Sequence, residues 1–495
     1  SSPRSGVPPE LHGDPAPEVT EKDRARAAYL NEVGRLVHRH FPKLRLQIGN
    51  TDNSMGAMSI MYRAGAKPEY FDSLGNEDAC QSFCPEMLST GGPQASKIER
   101  DAVRRLTGRT VKIDACYEFG SRRDKTLGER LQAAWFMRDA ISCLADGYTL
   151  MMLPSMYDGR YGYYDSLWGA GSMARRMPYL QPKQLLVAAA ALTKALDGVT
   201  FVRELDTGST TVYAFLFKRK DGRYATACWC SRGEAEIDLG LSGSAEAMDM
   251  YGHSLDLYRG VWPFGRRVVA CGECPAYVLS DKPAESAKIV KRTFEHGARL
   301  AAKGVRIGTF DSAEKVTLRP EPKLESESKH SLPVLKPAKF TVSTVDDPER
   351  GASLKVTLGE KTTNVTEYVT EYTTVRLKEP MEMPGRPCAF GVWVKGNSSW
   401  GRIRFEFTDA KGRVFGCYWR AGGWNPFDWP AVYAVNFDGW AFVSGSLDNS
   451  PLHWDDTLGL VGNAPSWPWR QISGPDFVTG KVYDYPIKLT AISVS

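Results

Sequence analysis

Histidine is scarce in this chain, and the place where it is missing carries information. The seven are His12, His38, His40, His253, His296, His330 and His453, so none falls between positions 41 and 252. A histidine-based triad or a histidine-ligated metal in that span is excluded. Long apolar runs are also missing. The richest, Leu185-Leu-Val-Ala-Ala-Ala-Ala-Leu, is far short of the roughly 18 to 20 residues of a membrane span and suits a buried helix. No Lys/Arg block of the kind that grips phosphates is present, and a net charge of +5 over 495 residues is mild, so neither nucleic acid nor a membrane span is expected. There is no initiating Met and no leader. The chain opens Ser1-Ser-Pro-Arg-Ser-Gly-Val-Pro-Pro, which reads as a processed product or as part of a longer one.

What is present is an ordinary globular composition, 42% hydrophobic and 24% charged, over a length that suits about three domains. After a Pro/Gly-rich start, Thr20-Glu-Lys-Asp opens a helix with an N-cap Thr and an acid three residues on. Leu30, Val33, Leu36, Val37 and Phe41 follow at helical spacing, and Pro42 stops it. Strands then alternate with helices. Leu44 to Ile48 is a strand, Met55 to Ala64 a helix, Tyr70 to Leu74 a strand and Lys97 to Leu106 a helix. Val111 to Glu118 is a strand, Leu127 to Leu144 a helix, Tyr148 to Leu153 a strand and Lys183 to Leu196 a helix. Four β/α units of this kind argue a parallel sheet with right-handed crossovers. They are half of a (β/α)8 barrel, which needs eight strands and usually about 250 residues. A lone half would leave an open hydrophobic edge. A partner chain or an N-terminal segment is therefore expected to supply the other four strands; self-pairing of two halves, an oligomer, ranks behind it.

Glu118 is the residue that points most directly to chemistry. It ends the buried-looking strand Val111-Lys-Ile-Asp-Ala-Cys-Tyr-Glu and is followed by Gly120, a polar loop and a helix. A carboxylate at the C-terminal tip of a parallel strand is how a β/α barrel presents a catalytic acid. With no histidine nearby, carboxylates must do any catalytic work, and paired carboxylates mean glycoside chemistry first. The plainer alternative is that Glu118 only pairs with Arg122 or Arg123. Asn50, Asp52, Asn76, Glu77 and Asp78 are expected at strand ends on the same rim, where they can bind hydroxyls. Tyr157, Asp158, Tyr161, Tyr163, Tyr164, Asp165 and Trp168 lie in the aromatic loop after the last strand and can wall a sugar subsite.

From about Val199 the rhythm changes to short strands and turns. Thr211 to Lys218 and Tyr224 to Cys230 flank the turn Lys220-Asp-Gly, and an antiparallel sandwich is expected to end near Ser280. Its cysteines, Cys228-Trp-Cys230 and Cys271-Gly-Glu-Cys274, have the look of a four-thiolate zinc site. The spacing of the first pair puts both on one face of a strand, however, and buried thiols or a disulfide are favoured. Residues 281 to 337 read as linker, with a helix allowed at Lys288 to Lys303. From about Ala338 the chain is all-β and holds nine of the thirteen Trp. Trp393 and Trp440 sit in strands and are expected in the core. Trp424, Trp429, Trp467 and Trp469 sit in loop-like segments and are expected to be exposed, as rings that stack on sugars are.

With these residues in place a family resemblance can be stated. The Glu118 strand, the aromatic loop after the next strand and the abutting sandwich resemble the retaining glycoside hydrolases built on a TIM barrel with a C-terminal β-sandwich, of the β-xylosidase, iduronidase and arabinofuranosidase types. Tyr224-Ala-Thr-Ala-Cys-Trp-Cys, Met248-Asp-Met-Tyr-Gly-His and Cys274-Pro-Ala-Tyr-Val-Leu look like the sandwich of those enzymes, and the last region looks like a carbohydrate-binding jelly roll. The resemblance implies the second half of a barrel over 1–198, a β-sandwich over 199–280, a linker over 281–337 and a jelly roll over 338–495. It implies that Glu118, at the seventh-strand position, is the nucleophile of a double displacement on a carbohydrate substrate. The acid/base would be a Glu after an Asn at the end of the fourth strand, outside this chain. Asn76-Glu77 mimics that pair, but only about forty residues separate Glu77 from Glu118, so Glu77 belongs to the sixth strand. There the family has a His-x-Tyr element, and this chain has Leu74-Gly-Asn-Glu. Glu77 is left to contact a hydroxyl, cap a helix or act as an unconventional acid. No cofactor is implied.

Two other readings stand beside this one. The chain can be a non-catalytic surface or filament protein that keeps a hydrolase-like half and binds glycans through its Trp-rich region. It can also be a barrel enzyme with Cys116 as nucleophile, ranked low because no histidine is near to activate it. A secreted or cell-surface location is expected from the carbohydrate reading, and Asn364-Val-Thr and Asn397-Ser-Ser are acceptor sequons that fit it.

Overall fold

The structure is a computed structural model. It describes residues 15–48, 54–71, 73–79, 85–86, 98, 100–102, 104–105, 108, 112–118, 129–148, 150–152, 156, 173–175, 180–259, 266–294, 297–322, 325, 334–359, 369–387, 389–412, 414–416, 432–446 and 484–495.

Helix α1 (Glu21–His40) starts at the capping box expected from Thr20. The Asp23 backbone N–H donates to Thr20 Oγ1 at 3.2 Å, and the Thr20 backbone N–H donates to Asp23 Oδ2 at 3.0 Å. Two otherwise orphaned donors are satisfied reciprocally. Strand β1 (Gln47–Ile48) leads to α2 (Ser54–Arg63), which packs on α1 through Ala27, Ile60, Met61 and Ala66. Gly34 lets Tyr70 approach α1 closely, because a Cβ there would lie 2.5 Å from Tyr70 Cβ.

Strands β2 (Ser73–Ala79), β3 (Lys112–Glu118) and β4 (Leu150–Met152) join β1 in one four-stranded sheet in chain order. Every pairing is parallel, with Ile48 opposite Leu74, Cys116 opposite Asn76 and Met151 opposite Cys116. Helical residues at 98, 100–102 and 104–105, then α3 (Glu129–Ala145) and α4 (Gln184–Leu196), fall where β/α alternation puts them. One strand is shifted. The span expected as strand, Tyr70 to Leu74, begins instead with a short 3-10 turn at Pro68–Tyr70, and β2 runs on to Ala79. Gly75-Asn-Glu-Asp, expected as a loop, is strand. Pairing along β3, interrupted by two register shifts, overrides the weak strand propensity of those residues.

The next strands are β5 (Thr200–Glu204), β6 (Val212–Lys218), β7 (Tyr224–Cys230), β8 (Glu234–Asp238), β9 (Ala245–Met248), β10 (Ser254–Leu255), β11 (Val269–Cys271), β12 (Ala276–Ser280) and β13 (Lys288–Thr293). They form a six-stranded sheet ordered β10-β9-β12-β7-β6-β5 and a three-stranded sheet ordered β11-β8-β13. The period of two sorts the six-stranded sheet into two buried faces. Ala214, Leu216, Cys228, Cys230, Ala276 and Val278 face the small sheet's Ala235, Ile237 and Val269. Phe217, Ala225, Ala227, Trp229, Tyr277 and Leu279 pack instead against Ile141 of α3 and Ala195 and Leu196 of α4. Burial on both faces explains why β7 and β12 read as near-continuous apolar runs. The sandwich therefore abuts α3 and α4.

The helix allowed at 288–303 is corrected. Lys288–Thr293 is an edge strand antiparallel to β8, and only Ala298–Ala301 is helical. Lys-Ile-Val-Lys-Arg-Thr leaves two residues half-buried and the rest exposed, a pattern an edge strand tolerates.

A second sandwich follows. Strands β14 (Val316–Arg319) and β15 (Val334–Pro337) both pair with the long β18 (Val369–Met383), so two pieces of the expected linker belong to this sheet. The sheet continues through β24 (Ile487–Val494), β20 (Arg402–Thr408), β21 (Val414–Gly416) and β22 (Val432–Ala434). Facing it are the hairpin β16 (Phe340–Asp347) with β17 (Gly351–Leu358), and the antiparallel pair β19 (Ala389–Asn397) with β23 (Asp438–Ser446). Phe405, Phe407, Val443, Ile487 and Leu489 fill the space between. The two sandwiches meet at a clasp. Thr210 Oγ1 donates to the Ser398 carbonyl at 2.6 Å, and Trp400 Nε1 donates to the Thr210 carbonyl at 2.7 Å. Ser398 and Trp400 adopt φ of 51° and 58°, an uncommon left-handed backbone for residues with a Cβ.

Candidate functional site

The parallel sheet brings carboxylates to one edge. Asn76, Glu77 and Asp78 occupy the C-terminal part of β2, and Glu118 is the last residue of β3. In the register between these strands Glu77 stands opposite Tyr117 and Ala79 opposite Glu118. Adjacent strands lie about 4.8 Å apart, so the backbone carriers of Glu77 and Glu118 are near neighbours at the C-terminal edge. Asn50 and Asp52 lie outside the described residues. So do Tyr157, Asp158, Tyr161, Tyr163, Tyr164, Asp165 and Trp168 of the aromatic loop, and Trp424, Trp429, Trp467 and Trp469 near the C-terminus.

A buried polar joint links the segment after β2, α3 and the first sandwich. Arg138 of α3 is fully buried and makes a bidentate pair with Glu86, Nε to Oε1 at 2.7 Å and Nη2 to Oε2 at 2.9 Å. Trp229 of β7, also fully buried, donates Nε1 to Glu86 Oε1 at 2.6 Å. Arg138 Nη1 reaches the Glu273 carbonyl at 3.1 Å. One carboxylate thus ties the segment after β2, the helix after β3 and the first sandwich. A planar guanidinium and a planar indole, each with donors in a fixed direction, suit a shared buried acceptor. The signal available in the sequence was an Arg inside an otherwise apolar helix, Ala133-Ala-Trp-Phe-Met-Arg-Asp-Ala-Ile.

The cysteines separate. Cys228, Cys230 and Cys271 are buried in the core of the first sandwich, while half-buried Cys274 packs with Met250 and Tyr251 on its other side, toward α3 and α4. The four-thiolate arrangement is therefore not assembled, and all four are free thiols. Burial pushes the Cys228 and Cys271 thiols well above the usual range. Cys230 is also raised by burial, and its Sγ donates to the Arg232 carbonyl at 2.9 Å. Among the described residues no group of three or more His, Cys, Asp or Glu is placed to hold a metal ion. Among the described residues no helix is long and apolar enough to cross a membrane.

Trp393 and Trp440 are not core residues, contrary to expectation. Both are half-buried on the outward face of β19–β23, while Val392, Val394, Ala441 and Val443 turn inward. Both faces of these strands carry apolar residues, so alternation alone did not decide which way the rings turn. Lys395, two residues from Trp393 and opposite Trp440 in the register, marked the outward face.

No family model matches the chain, and no curated protein matches it. Solved structures that resemble it include a family 39 glycoside hydrolase from the gut symbiont Bacteroides cellulosilyticus WH2, at 13% identity and a TM-score of 0.37, with 55% of this chain and 65% of that one covered. The GH51 arabinofuranosidase from Xanthomonas axonopodis pv. citri matches at 11% identity and 0.35, with 51% and 62% covered. The catalytic domain of GH30 xylanase C from Talaromyces cellulolyticus matches at 9% and 0.34, with 55% and 60% covered. The chain spans less than two thirds of the length of each. Superpositions this loose assign neither family nor activity.

Proposed function

We propose that this chain forms part of a retaining glycoside hydrolase, with the parallel sheet as half of its barrel and the last sandwich as its glycan-binding region. The observation that carries the reading is the shared edge. Two parallel neighbours, β2 and β3, end in Asn76-Glu77-Asp78 and Glu118, in a region whose sequence holds no histidine. Carboxylates are then the groups left for proton transfer and nucleophilic attack. The Glu118 carboxylate attacks the anomeric carbon, and the bond from that carbon to the leaving oxygen breaks. A carboxylic acid about 5 Å away protonates that oxygen. The same acid, now a base, takes a proton from water as the water displaces Glu118. Glu77 or a carboxylate from a preceding segment or a partner chain fills the acid role. The division proposed is barrel half to 198, first sandwich through β13, and a carbohydrate-binding sandwich that begins with β14. A secreted or cell-surface setting follows from a polymeric substrate.

The test is a fluorosugar with an activated leaving group, applied to the natively purified protein. A mass increase on the peptide carrying Glu118, absent in Glu118→Gln, is the expected result. Hydrolysis should fall by about 10³-fold or more in that variant, with the fold intact. Wild-type turnover in Glu118→Gln overturns the assignment. Electrophoresis and intact mass of the same preparation show whether a second polypeptide or a longer parent chain completes the barrel.

The second reading, a non-catalytic glycan-binding or structural protein, draws on Leu74-Gly-Asn-Glu standing where the resembled enzymes carry His-x-Tyr, and on the outward Trp pair of the last sandwich. Trp424→Ala and Trp467→Ala should weaken retention on a polysaccharide gel without unfolding the protein under either reading; unchanged retention counts against a role for those rings.

A further inference from the structure

The outward face of β19–β23 holds groups that neither the fold nor the carboxylate edge explains. Three aromatic rings lie on it. Phe442 lies across Gly391, where a Cβ would come within 2.3 Å of the ring. Trp393 stands beside Phe442 with ring centroids 5.4 Å apart, and Trp440 follows on β23. The hairpin between β16 and β17 reaches over them. Its turn is built by Asp347, which accepts from the Glu349 backbone N–H at 2.9 Å, and by Gly351 at a φ of 69°. The same Asp347 accepts from Trp440 Nε1 at 2.9 Å and Lys395 Nζ at 2.6 Å, fixing the indole edge-on.

The turn delivers Arg350. Its guanidinium sits 3.3 Å from the Trp393 ring centroid and 5.8 Å from that of Trp440. Arg350 is exposed, and its guanidinium makes neither a hydrogen bond nor an ion pair among the described residues. Its five N–H donors therefore face solvent, with no protein acceptor among the described residues.

We propose that this face binds an anionic glycan, whose carboxylate or sulfate is taken by Arg350 where it stacks on Trp393, and whose ring lies along Trp440. A planar anionic oxygen pair matches the guanidinium fork, and indole faces suit the C–H face of a sugar ring. This rests on the reading of the last sandwich as carbohydrate-binding and names the class of ligand. Aromatic rings on a sheet with one guanidinium held among them fit a sugar acid better than a phosphate backbone, which calls for a dense cationic track.

The experiment is affinity electrophoresis and calorimetry on the full chain. The probes are an oligogalacturonate, its fully methyl-esterified form, a sulfated galactan, a neutral arabinoxylan and a single-stranded oligonucleotide. The expected result is binding to the oligogalacturonate or the sulfated galactan, with the preferred one identifying carboxylate or sulfate as the group recognised. Binding should weaken with added salt. Arg350→Ala should lower that affinity at least tenfold and Arg350→Lys should recover only part of it, because a lysine lacks the fork. Trp393→Ala should lower it as well. Thermal unfolding of each variant tells lost binding from lost fold, and Arg350→Gln replaces any variant that unfolds. Unchanged affinity in folded Arg350→Ala overturns the proposal, as does equal binding of the methyl ester, tighter binding of the oligonucleotide, or no binding to either anionic glycan. Loss of hydrolysis in Glu118→Gln with no effect of Arg350→Ala leaves the barrel reading standing and sinks this one. Arg350-dependent binding without turnover does the reverse.

Discussion

Trp229 and Trp440 do the same elementary thing with opposite results. Each sits on a β-strand, and each donates its indole N–H to a carboxylate, Glu86 at 2.6 Å and Asp347 at 2.9 Å. Trp229 itself is fully buried, and the two rings against it are half-buried. Tyr213 stacks on it with centroids 4.9 Å apart, Phe215 meets it at 5.0 Å edge-on, and the carboxylate's other partner is the fully buried Arg138. Around Trp440 the carboxylate's other partner is Lys395, whose side chain is 52% exposed, and the rings beside it stay half-open. In the first sandwich an indole–carboxylate bond is the centre of a joint between three pieces of chain. In the second it orients a surface. The difference comes from what the third partner does. A charge with no access to water must be matched in place, and a charge at the surface need not be.

That contrast sets the largest expected effect after the Glu118 substitution. Glu86→Ala leaves the Arg138 guanidinium buried without its counter-charge, which should destabilise the protein by about 3 to 5 kcal/mol. Trp229→Ala should cost about as much, since it empties a large buried site between the six-stranded sheet and α3 and α4 and strands a lone pair of Glu86. Thermal unfolding of the first sandwich should fall by on the order of ten degrees in either variant. The double variant Glu86→Leu with Arg138→Met should cost less than the sum of the two single changes, because apolar replacement of both partners removes the unmatched charge. If Glu86→Ala unfolds at the wild-type temperature, the joint is ornamental and the comparison fails.

How much of this was legible in the sequence differs between the same two regions. The parallel β/α order, the capping box at Thr20 and Asp23, and the hairpin turn at Lys220-Asp-Gly are local patterns, and the structure follows them. The Glu86–Arg138–Trp229 joint links residues 52 and 143 positions apart, and no local rule pairs them. β2 overran its expected end because strand pairing with β3 carried Asn76, Glu77 and Asp78 along. The helix allowed at Lys288 to Lys303 gives way to a strand over Lys288–Thr293, because its partner, β8, lies some fifty residues earlier and no local pattern announces the pairing. Trp393 and Trp440 were assigned to the core because both faces of their strands are apolar. Of the candidate edge, the types and their order could be read, since a carboxylate at a strand tip is a one-dimensional pattern. Which carboxylates become neighbours required the pairing of β2 with β3.

A middle-sized effect sharpens the contrast. Trp393→Ala should cost only about 1 kcal/mol of stability, because it removes a half-buried ring and its stacking with Arg350 and Phe442. Set beside Trp229→Ala, the same substitution in two sandwiches should therefore differ by several degrees in unfolding temperature. Retention on an acidic polysaccharide should show the opposite order, strongly reduced for Trp393→Ala. Equal unfolding temperatures for the two variants would mean that Trp393 is structural, and the outward face would lose its distinction from the inward one.

The smallest effect is the acid response of the second sandwich. The hydrogen bond from Lys395, joined by those from the Glu349 backbone and Trp440, holds the Asp347 carboxyl at a pKa of about 2, below its ordinary value. A carboxyl whose folded pKa is depressed stabilises the folded state above its unfolded pKa, near 3.9, and loses that contribution as pH falls through the folded value. The window is therefore about pH 4 down to about pH 2, with the contribution complete at neutral pH. Over that window the hairpin turn should loosen, Arg350 should leave Trp393, and the fluorescence of the outward indoles should change before the global acid transition of the core. Asp347→Asn keeps an acceptor for the Trp440 N–H and the turn but removes the charge that Lys395 answers. It should abolish the early fluorescence step while leaving the later one where it was. A step of the same size and midpoint in Asp347→Asn would assign the titration to another carboxyl, and the turn would then owe its geometry to Gly351 and the strand register alone.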